Sequence, residues 1–476
     1  MIHAILAKEL LEYRRDGRLH GVLNVMLALA AGCLLTAWPT YTSQQRAAIE
    51  AQGRDQEAFV QQGDKAPHAA AHFGRMAHKP SSALAMFDPG GTPYLGQVIW
   101  LEAHRQDPAM FRPAEDSPEL RRLADLSIAG VLTLASPLIL CLVGAGVFAG
   151  ERERGSLRQL MSVGVRPGVL YAGKIGALAS VGVAVSSIVI GVSIAVAIAS
   201  SSIAEAADIV IRGVWLIAAY AAYNVAFAAI VVSISAQARS TAAALMLALC
   251  TWAGACVLVP RLAASLAEHL YPTPDAGLFW IDASARVRAQ QLERASPEYR
   301  LLQREVLSRA LGREIKAEEA DRIAVNRFGL ALEISERGGA KAHAEAYGSL
   351  YETYEKQQRV RRLLALLSPT ITLQHASSAL AGTDTSAHHH FAQAAELQRN
   401  LMMRVMNEDL MLRGAGQDFD YLASAELWRR VPEFVYQTPS ASFALRSAAP
   451  DLVGLLCWTM AALWVAFRIA ARQQAF

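Results

Sequence analysis

The sequence predicts an all-α membrane protein with six transmembrane helices, and three observations carry that prediction. Of its 476 residues 53% are apolar and only 18% charged, against roughly 25% charged in a soluble domain. Six stretches of about the length a helix needs to cross a 30 Å bilayer core contain no Asp, Glu, Lys or Arg. The short connections between them segregate by charge, as the loops of a membrane protein do. Lys and Arg exceed Asp and Glu by only three, so bulk charge gives no reason to expect a nucleic-acid partner. The cysteines Cys33, Cys141, Cys250, Cys256 and Cys457 all lie in apolar runs and propose neither a disulfide framework nor a metal site.

Residues 1–18 read as an interfacial elbow helix. Ile2, Ile5, Leu6, Leu10 and Tyr13 recur on one face, with Lys8, Glu9, Glu12, Arg14 and Arg15 elsewhere, and Gly17 turns the chain into the first span. An ordinary juxtamembrane tail is the plainer alternative. An amphipathic segment, not a short charged one, precedes the first apolar run, so cleavage of a signal peptide is not expected. Charge-free cores fall at 19–38, 126–150, 175–199, 213–238, 240–259 and 452–467, with the third span drawn from 169 and the fifth from 239. The sixth is short, but Trp458, Trp464 and a snorkelling Arg468 suit its ends. A seventh run, 363–383, is set aside because Pro369, Gln374, His375, Ser377 and Ser378 interrupt it; it reads as a helix end followed by a loop.

Orientation follows from the cations of the short loops. Lys8, Arg14, Arg15 and Arg18 precede span one, and Arg152, Arg154, Arg158 and Arg166 lie in the 151–168 loop, so both should be cytoplasmic. The 200–212 connection has one cation, Arg212, beside Glu205 and Asp208, and belongs outside. The 468–476 tail, with Arg468 and Arg472, is again inside. Two large segments, 39–125 and 260–451, are then extracytoplasmic, which long loops permit largely regardless of charge.

The first of these contains a Gln/Ala-rich helix and then a Pro/Gly stretch around Asp88-Pro89-Gly90-Gly91. The second reads as a large helical domain. Ser296-Pro297 starts a helix over 298–311, charged amphipathic runs at 316–337 and 340–367 are split by Gly338-Gly339 into a hairpin, and another helix covers 391–412. Its charges read as a solvated face. Tyr271, Phe279, Trp280, Trp428, Phe434 and Tyr436 read as headgroup-layer anchors, with an aromatic gate as the alternative.

The most informative stretch joins spans two and three. The charged tetrad Glu151-Arg152-Glu153-Arg154 follows Gly150, Gly155 can break the helix, and Ser156 with Gln159 forms a capping-box pattern. Leu157, Leu160 and Met161 share one face of the short helix that follows, and Gly164 and Pro167 stop it. By residues alone this is either a capped connecting loop or a stiff ledge through which force reaches two spans. Glu151-Arg152-Glu153-Arg154-Gly155-Ser156-Leu157, with Leu160, Ser162, Gly173 and Lys174 downstream, resembles the connection between spans two and three of type-2 ABC transporter permeases.

That resemblance implies a permease, most simply an exporter, in the bacterial inner membrane, surrounded by lipid and with both termini cytoplasmic. It implies a coupling helix over 151–163 docking on a cytoplasmic ABC ATPase dimer, which holds the ATP and Mg, while this chain binds no cofactor and pairs with a second permease copy or a related permease. Glu151, Arg152 and Glu153 would then supply charged contacts, Gly155 and Ser156 the break, and Leu157, Leu160 and Met161 the docking face. The long segment between spans five and six resembles a subgroup with an inserted extracytoplasmic domain, marked by Leu367-Ser368-Pro369, the run 379–384, His388 and Phe391. A non-transporting mechanotransmission subunit acting on an extracytoplasmic partner is the alternative.

Three further patterns in the sequence have plainer explanations. Gly168-x4-Gly173-Lys174 mimics a phosphate-binding loop, but Ile175 stands where Ser or Thr would hold magnesium and an apolar span follows, so Lys174 is expected at headgroup level. No span carries an internal carboxylate or ammonium for ion-driven transport. That leaves Asn24, Tyr220, Tyr223 and Asn224 as possible path-lining groups, or as hydrogen-bonding glue between helices. His388-His389-His390, with His375 nearby, is metal-like in composition, but successive residues of a helix start point about 100° apart, so a polar helix start after Ser386 is expected and no metal. A membrane metalloenzyme built on these histidines is a third functional reading.

Overall fold

The computed structural model describes residues 1–15, 17–112, 126–162, 164–417 and 420–472. Residues 113–125 of the first large segment, Val163 at the end of the ledge, and the tail from 473 lie outside the described residues, as does the side chain of Arg18.

Among the described residues six helices are long and apolar enough to cross a membrane, and each overlaps one of the charge-free cores. Helix α1 (Ile2–Arg15) precedes α2 (Gly17–Val60), which does not stop at Trp38 but runs on through Pro39. At about 1.5 Å per residue α2 is roughly 66 Å long, twice a bilayer core, so the first large segment begins as its extension. Helix α3 (Pro67–Phe73) leads into a sheet that periodicity did not reveal: β1 (Arg75–His78), β2 (Val98–Glu102) and β3 (Arg105–Gln106) pair antiparallel in that order. These strands are too short to show alternation in the sequence. His104, at the β2–β3 turn, has φ 66°.

Ser127 Oγ accepts from the backbone N of Gly130 and starts α4 (Ile128–Gly144), which continues as α5 (Gly146–Glu153). The ledge helix α6 (Ser156–Ser162) leads to α7 (Pro167–Ala199), with Pro167 in its first turn, where a missing N–H costs nothing. Helix α8 (Ile203–Gln237) packs on α4, α5, α7 and the last span and is the centre of the bundle. Helix α9 (Thr241–Ala253) passes through a π turn (Gly254–Leu258) into α10 (Val259–Leu270). Pro260 cannot donate there, and Ser368 Oγ hydrogen-bonds the nearby Ala255 carbonyl.

Beyond α11 (Ala276–Ala289) and α12 (Pro297–Leu311) comes α13 (Arg327–Leu364). The expected hairpin at Gly338-Gly339 is absent; α13 is one helix of 38 residues. Glycine does other work at 338: a Cβ there would lie 3.2 Å from the Gln290 carbonyl, so its absence lets the end of α11 approach. Asn326, whose Oδ1 accepts from Phe328 N and Gly329 N, sets the true start of α13, and 316–326 is mostly irregular.

The segment read as a loop after Leu367 is α14 (Pro369–Ala381), capped by Ser368 and buried against α8 and the last span. Its Ser, Thr and His side chains find partners inside the protein, which a hydropathy count cannot register. Helix α15 (Thr385–Arg413) replaces the shorter helix expected from Phe391, because Asp384 caps it earlier. Helices α16 (Ala425–Arg430) and α17 (Ala441–Arg472) complete the fold. Two expected headgroup anchors are core residues: Trp428 is fully buried, its Nε1 donating to the Gly63 carbonyl, and Phe434 packs in the same cluster with Phe59 and Phe391.

Candidate functional site

The ledge between the second and third spans gathers more structure than its length suggests. Gly155 has φ +78° with open space around its missing Cβ, so glycine is there for backbone freedom and not for a close approach. The Ser156–Gln159 capping box does not form; Ser156 already lies in α6, and its Oγ donates back to the Glu151 carbonyl at 3.3 Å. Leu157 and Leu160 are partly buried against the bundle core, leaving Arg158, Gln159, Met161 and Ser162 as the exposed face of α6.

The tetrad before the ledge, expected to offer its charges to a partner, spends most of them inside the chain. Glu151 is buried, and its Oε1 receives Lys8 Nζ at 2.6 Å and Lys174 Nζ at 3.0 Å. Lys174, also fully buried, donates to Glu9 Oε1 at 2.6 Å and to the Val147 carbonyl at 3.0 Å. Two ammonium groups thus neutralise two carboxylates where a lone buried charge would cost several kcal/mol. Burial alone would depress Lys8, yet its hydrogen bonds to Glu151 and Glu9 hold its pKa well above the ordinary lysine value. Arg152 donates to the carbonyls of Ala238 and Ala236, both at 2.6 Å, closing the C-terminal end of α8. Glu153 accepts from Thr241 N at 2.9 Å and Thr241 Oγ1 at 2.6 Å, holding the start of α9. Ser235 Oγ accepts from Phe148 N and Ala149 N and donates to the Ala145 carbonyl, mending the α4–α5 junction from the side.

Three successive residues therefore tie the ledge to α1, α7, α8 and α9. Lys174 faces protein on every side: the pattern that mimics a phosphate loop supplies a buried cation and, at Gly173, a close approach. A Cβ on Gly173 would stand 2.7 Å from Ile5 Cγ2, so glycine lets α1 lie against α7. Glu9 and Lys174 were not singled out from sequence as partners; the readable sign was a charge at the margin of an apolar face or run.

Of the possible path-lining residues, three come together and one stands apart. Tyr220, Tyr223 and Asn224 are buried on α8: Tyr223 OH donates to the Thr133 carbonyl at 2.9 Å and meets Thr370 Oγ1 at 3.0 Å, and Asn224 Nδ2 donates to Ser186 Oγ and the Tyr220 carbonyl. Asn24 is exposed on α2. Behind Thr133 and Ser377 lies a cavity of about 680 Å³, also lined by Asp88, Arg361, His375 and Asp451. Asp451, one residue outside the last charge-free run, is buried between Arg362 (2.9 Å) and His375 (3.3 Å), which joins α17 to α13 and α14. Burial raises the pKa of Asp88, whose carboxylate accepts from Ser377 Oγ.

The consecutive histidines do not converge. His389 stacks on Tyr351 with centroids 3.7 Å apart, His390 Nδ1 lies 3.0 Å from Tyr436 OH, and His388 is half-buried beside Phe391.

A family model described as ABC-2 family transporter protein matches residues 3–472. No curated protein matches the chain.

Proposed function

The chain belongs to the ABC-2 transporter family, a membrane permease component of an ABC transporter, and from that premise we propose that it is an export permease driven through the 151–163 ledge by a separate cytoplasmic ATPase. The proposed arrangement is a pair of permeases, two copies or two related chains, on an ATPase dimer that binds ATP and Mg. The observation that carries this reading is the ion lattice of Lys8, Glu9, Glu151 and Lys174 together with Arg152 and Glu153. A push on the exposed face of α6 is passed to α1, α7, α8 and α9 at once, because those helices share charged hydrogen bonds with its root. A connecting loop has no need of such anchoring.

Replacing Gly155-Ser156 by Val-Ile tests the proposal. Valine at φ +78° is strained whatever space surrounds it, so α6 leaves its docking angle while the spans stay inserted. Reconstituted with its ATPase, the variant should lose transport and ATPase stimulation; unchanged values for both would defeat the assignment.

A second reading, a mechanotransmission subunit acting on an extracytoplasmic partner, draws on Arg362–Asp451 and on Trp458 Nε1 donating to the Ala365 carbonyl at 2.7 Å. These bonds join the last span to α13, so tilting α17 would move the large helical domain. ATP-dependent solute movement in proteoliposomes containing only permease and ATPase would favour the transporter.

A further inference from the structure

The His68–His72–His104 cluster is used by none of the machinery above. His68 and His72 are one helical turn apart on α3, so their rings share a face, with centroids 4.7 Å apart. The β2–β3 turn brings His104 to the same point, its ring 5.2 Å from that of His68 and 5.3 Å from that of His72. One imidazole nitrogen from each residue lies within 4.8 Å of the other two. Zinc held by three imidazoles at about 2.0–2.1 Å needs nitrogens roughly 3.3 Å apart, a contraction that rotation of the exposed His72 side chain toward the other two can supply.

Support behind the cluster is already in place. Glu336 of α13 accepts from His104 Nδ1 at 2.5 Å and from the His104 backbone N at 2.8 Å, which fixes the Nδ1–H tautomer and leaves Nε2 as the free lone pair. Arg399 Nη1, 3.1 Å from the other oxygen, holds the carboxylate. Carboxylate, histidine and metal in series is the usual way a protein orients such a ligand. His104 also takes a left-handed backbone conformation, uncommon outside glycine.

We propose that His68, His72 and His104 form a binding site for one divalent transition-metal ion of the zinc type, with Glu336 orienting His104. Three neutral nitrogen donors suit Zn²⁺ and exclude Ca²⁺ and Mg²⁺, which take oxygen ligands. The ion would clasp α3 to the β2–β3 turn and, through Glu336, brace both to α13, with a fourth position left for water or an exchangeable group.

The test uses tag-free full-length protein in detergent, stripped of metal, and Zn²⁺ alone as probe, read by calorimetric titration and by thermal unfolding with and without Zn²⁺. The parent should bind one Zn²⁺ per chain and unfold at a higher temperature with it. His72→Ala, an exposed change, should unfold like the parent without metal yet lose both the stoichiometric binding and the upward shift; His104→Ala should lose the same two, starting from a lower unfolding temperature because Glu336 loses its hydrogen bond. Glu336→Gln should weaken Zn²⁺ binding roughly 10–100-fold. Absence of stoichiometric binding by the parent, or binding that survives both His72→Ala and His104→Ala, would overturn the proposal.

Discussion

Lys174 and Glu9 meet across 165 residues of sequence, Nζ to Oε1 at 2.6 Å, in a place where neither side chain reaches solvent. A buried pair of this kind is a poor source of net stability but a severe liability when halved. Lys174→Met leaves Glu9 and Glu151 facing Lys8 alone, and should destabilise the chain by about 3–5 kcal/mol. Adding Glu9→Gln restores neutrality and should recover part of that loss. Thermal unfolding of the two variants in detergent checks the order; a double variant no better than Lys174→Met would show that charge balance is not what the lattice provides.

Arg152 is a different kind of joint. Its two guanidinium N–H groups reach the carbonyls of Ala236 and Ala238 together, a fork that an ammonium group cannot reproduce. Arg152→Lys should therefore behave almost like Arg152→Ala, each costing about 1.5–3 kcal/mol for charged hydrogen bonds lost. Both should lower the stimulation of ATPase by the reconstituted permease, since α8 is released from the ledge. Full activity in Arg152→Lys would mean that charge alone suffices there.

Gly173 predicts a size-complementation result. Its missing Cβ would lie 2.7 Å from Ile5 Cγ2, so Gly173→Ala should cost about 1–3 kcal/mol by overpacking α1 on α7. Ile5→Ala opens that space at the price of its own packing. The pair should cost less than the sum of the single changes by roughly 0.5–3 kcal/mol, measured as a double-mutant cycle; simple additivity would show that α1 shifts freely and is not held at this point.

These residues also show what was readable beforehand and what was not. The six long apolar helices were legible because each has its own charge-free core, and Gly155 was legible because a break between a charged helix end and an amphipathic turn is local chemistry. The lattice was not: Glu9, Glu151 and Lys174 are ordinary charges until the fold buries them together. Charge-free composition did not separate α14 from a loop, because its cap Ser368 and its polar side chains Ser377 and His375 are satisfied by Ala255, Asp88 and Asp451 from distant parts of the chain. Gly338-Gly339 misled for a related reason: glycine signals a turn or a close approach equally well, and only the neighbour Gln290 decides. The three histidines in sequence, 388–390, turned out to face different partners, while the three that converge are spread from 68 to 104.

His388 gives the pH prediction. Burial first, then the nearby charge of Lys79, lowers its pKa from 6.5 to about 3, and its Nδ1 is buried with no hydrogen-bond partner. The imidazole is thus neutral in the fold but takes a proton in the unfolded chain below about 6.5. Its contribution to stability is complete above pH 6.5 and is lost progressively as the pH falls from 6.5 toward 3. His388→Gln removes that titration, so the unfolding temperature of the parent should fall more steeply between pH 6.5 and 4 than that of the variant, with the two curves parallel above pH 7. Lys79 does not mimic this effect, because its own pKa, lowered by burial to about 8, lies above the window. Curves that stay parallel down to pH 4 would remove His388 as a source of acid sensitivity and leave it to groups both proteins share, the carboxylates and the other histidines whose pKa burial lowers.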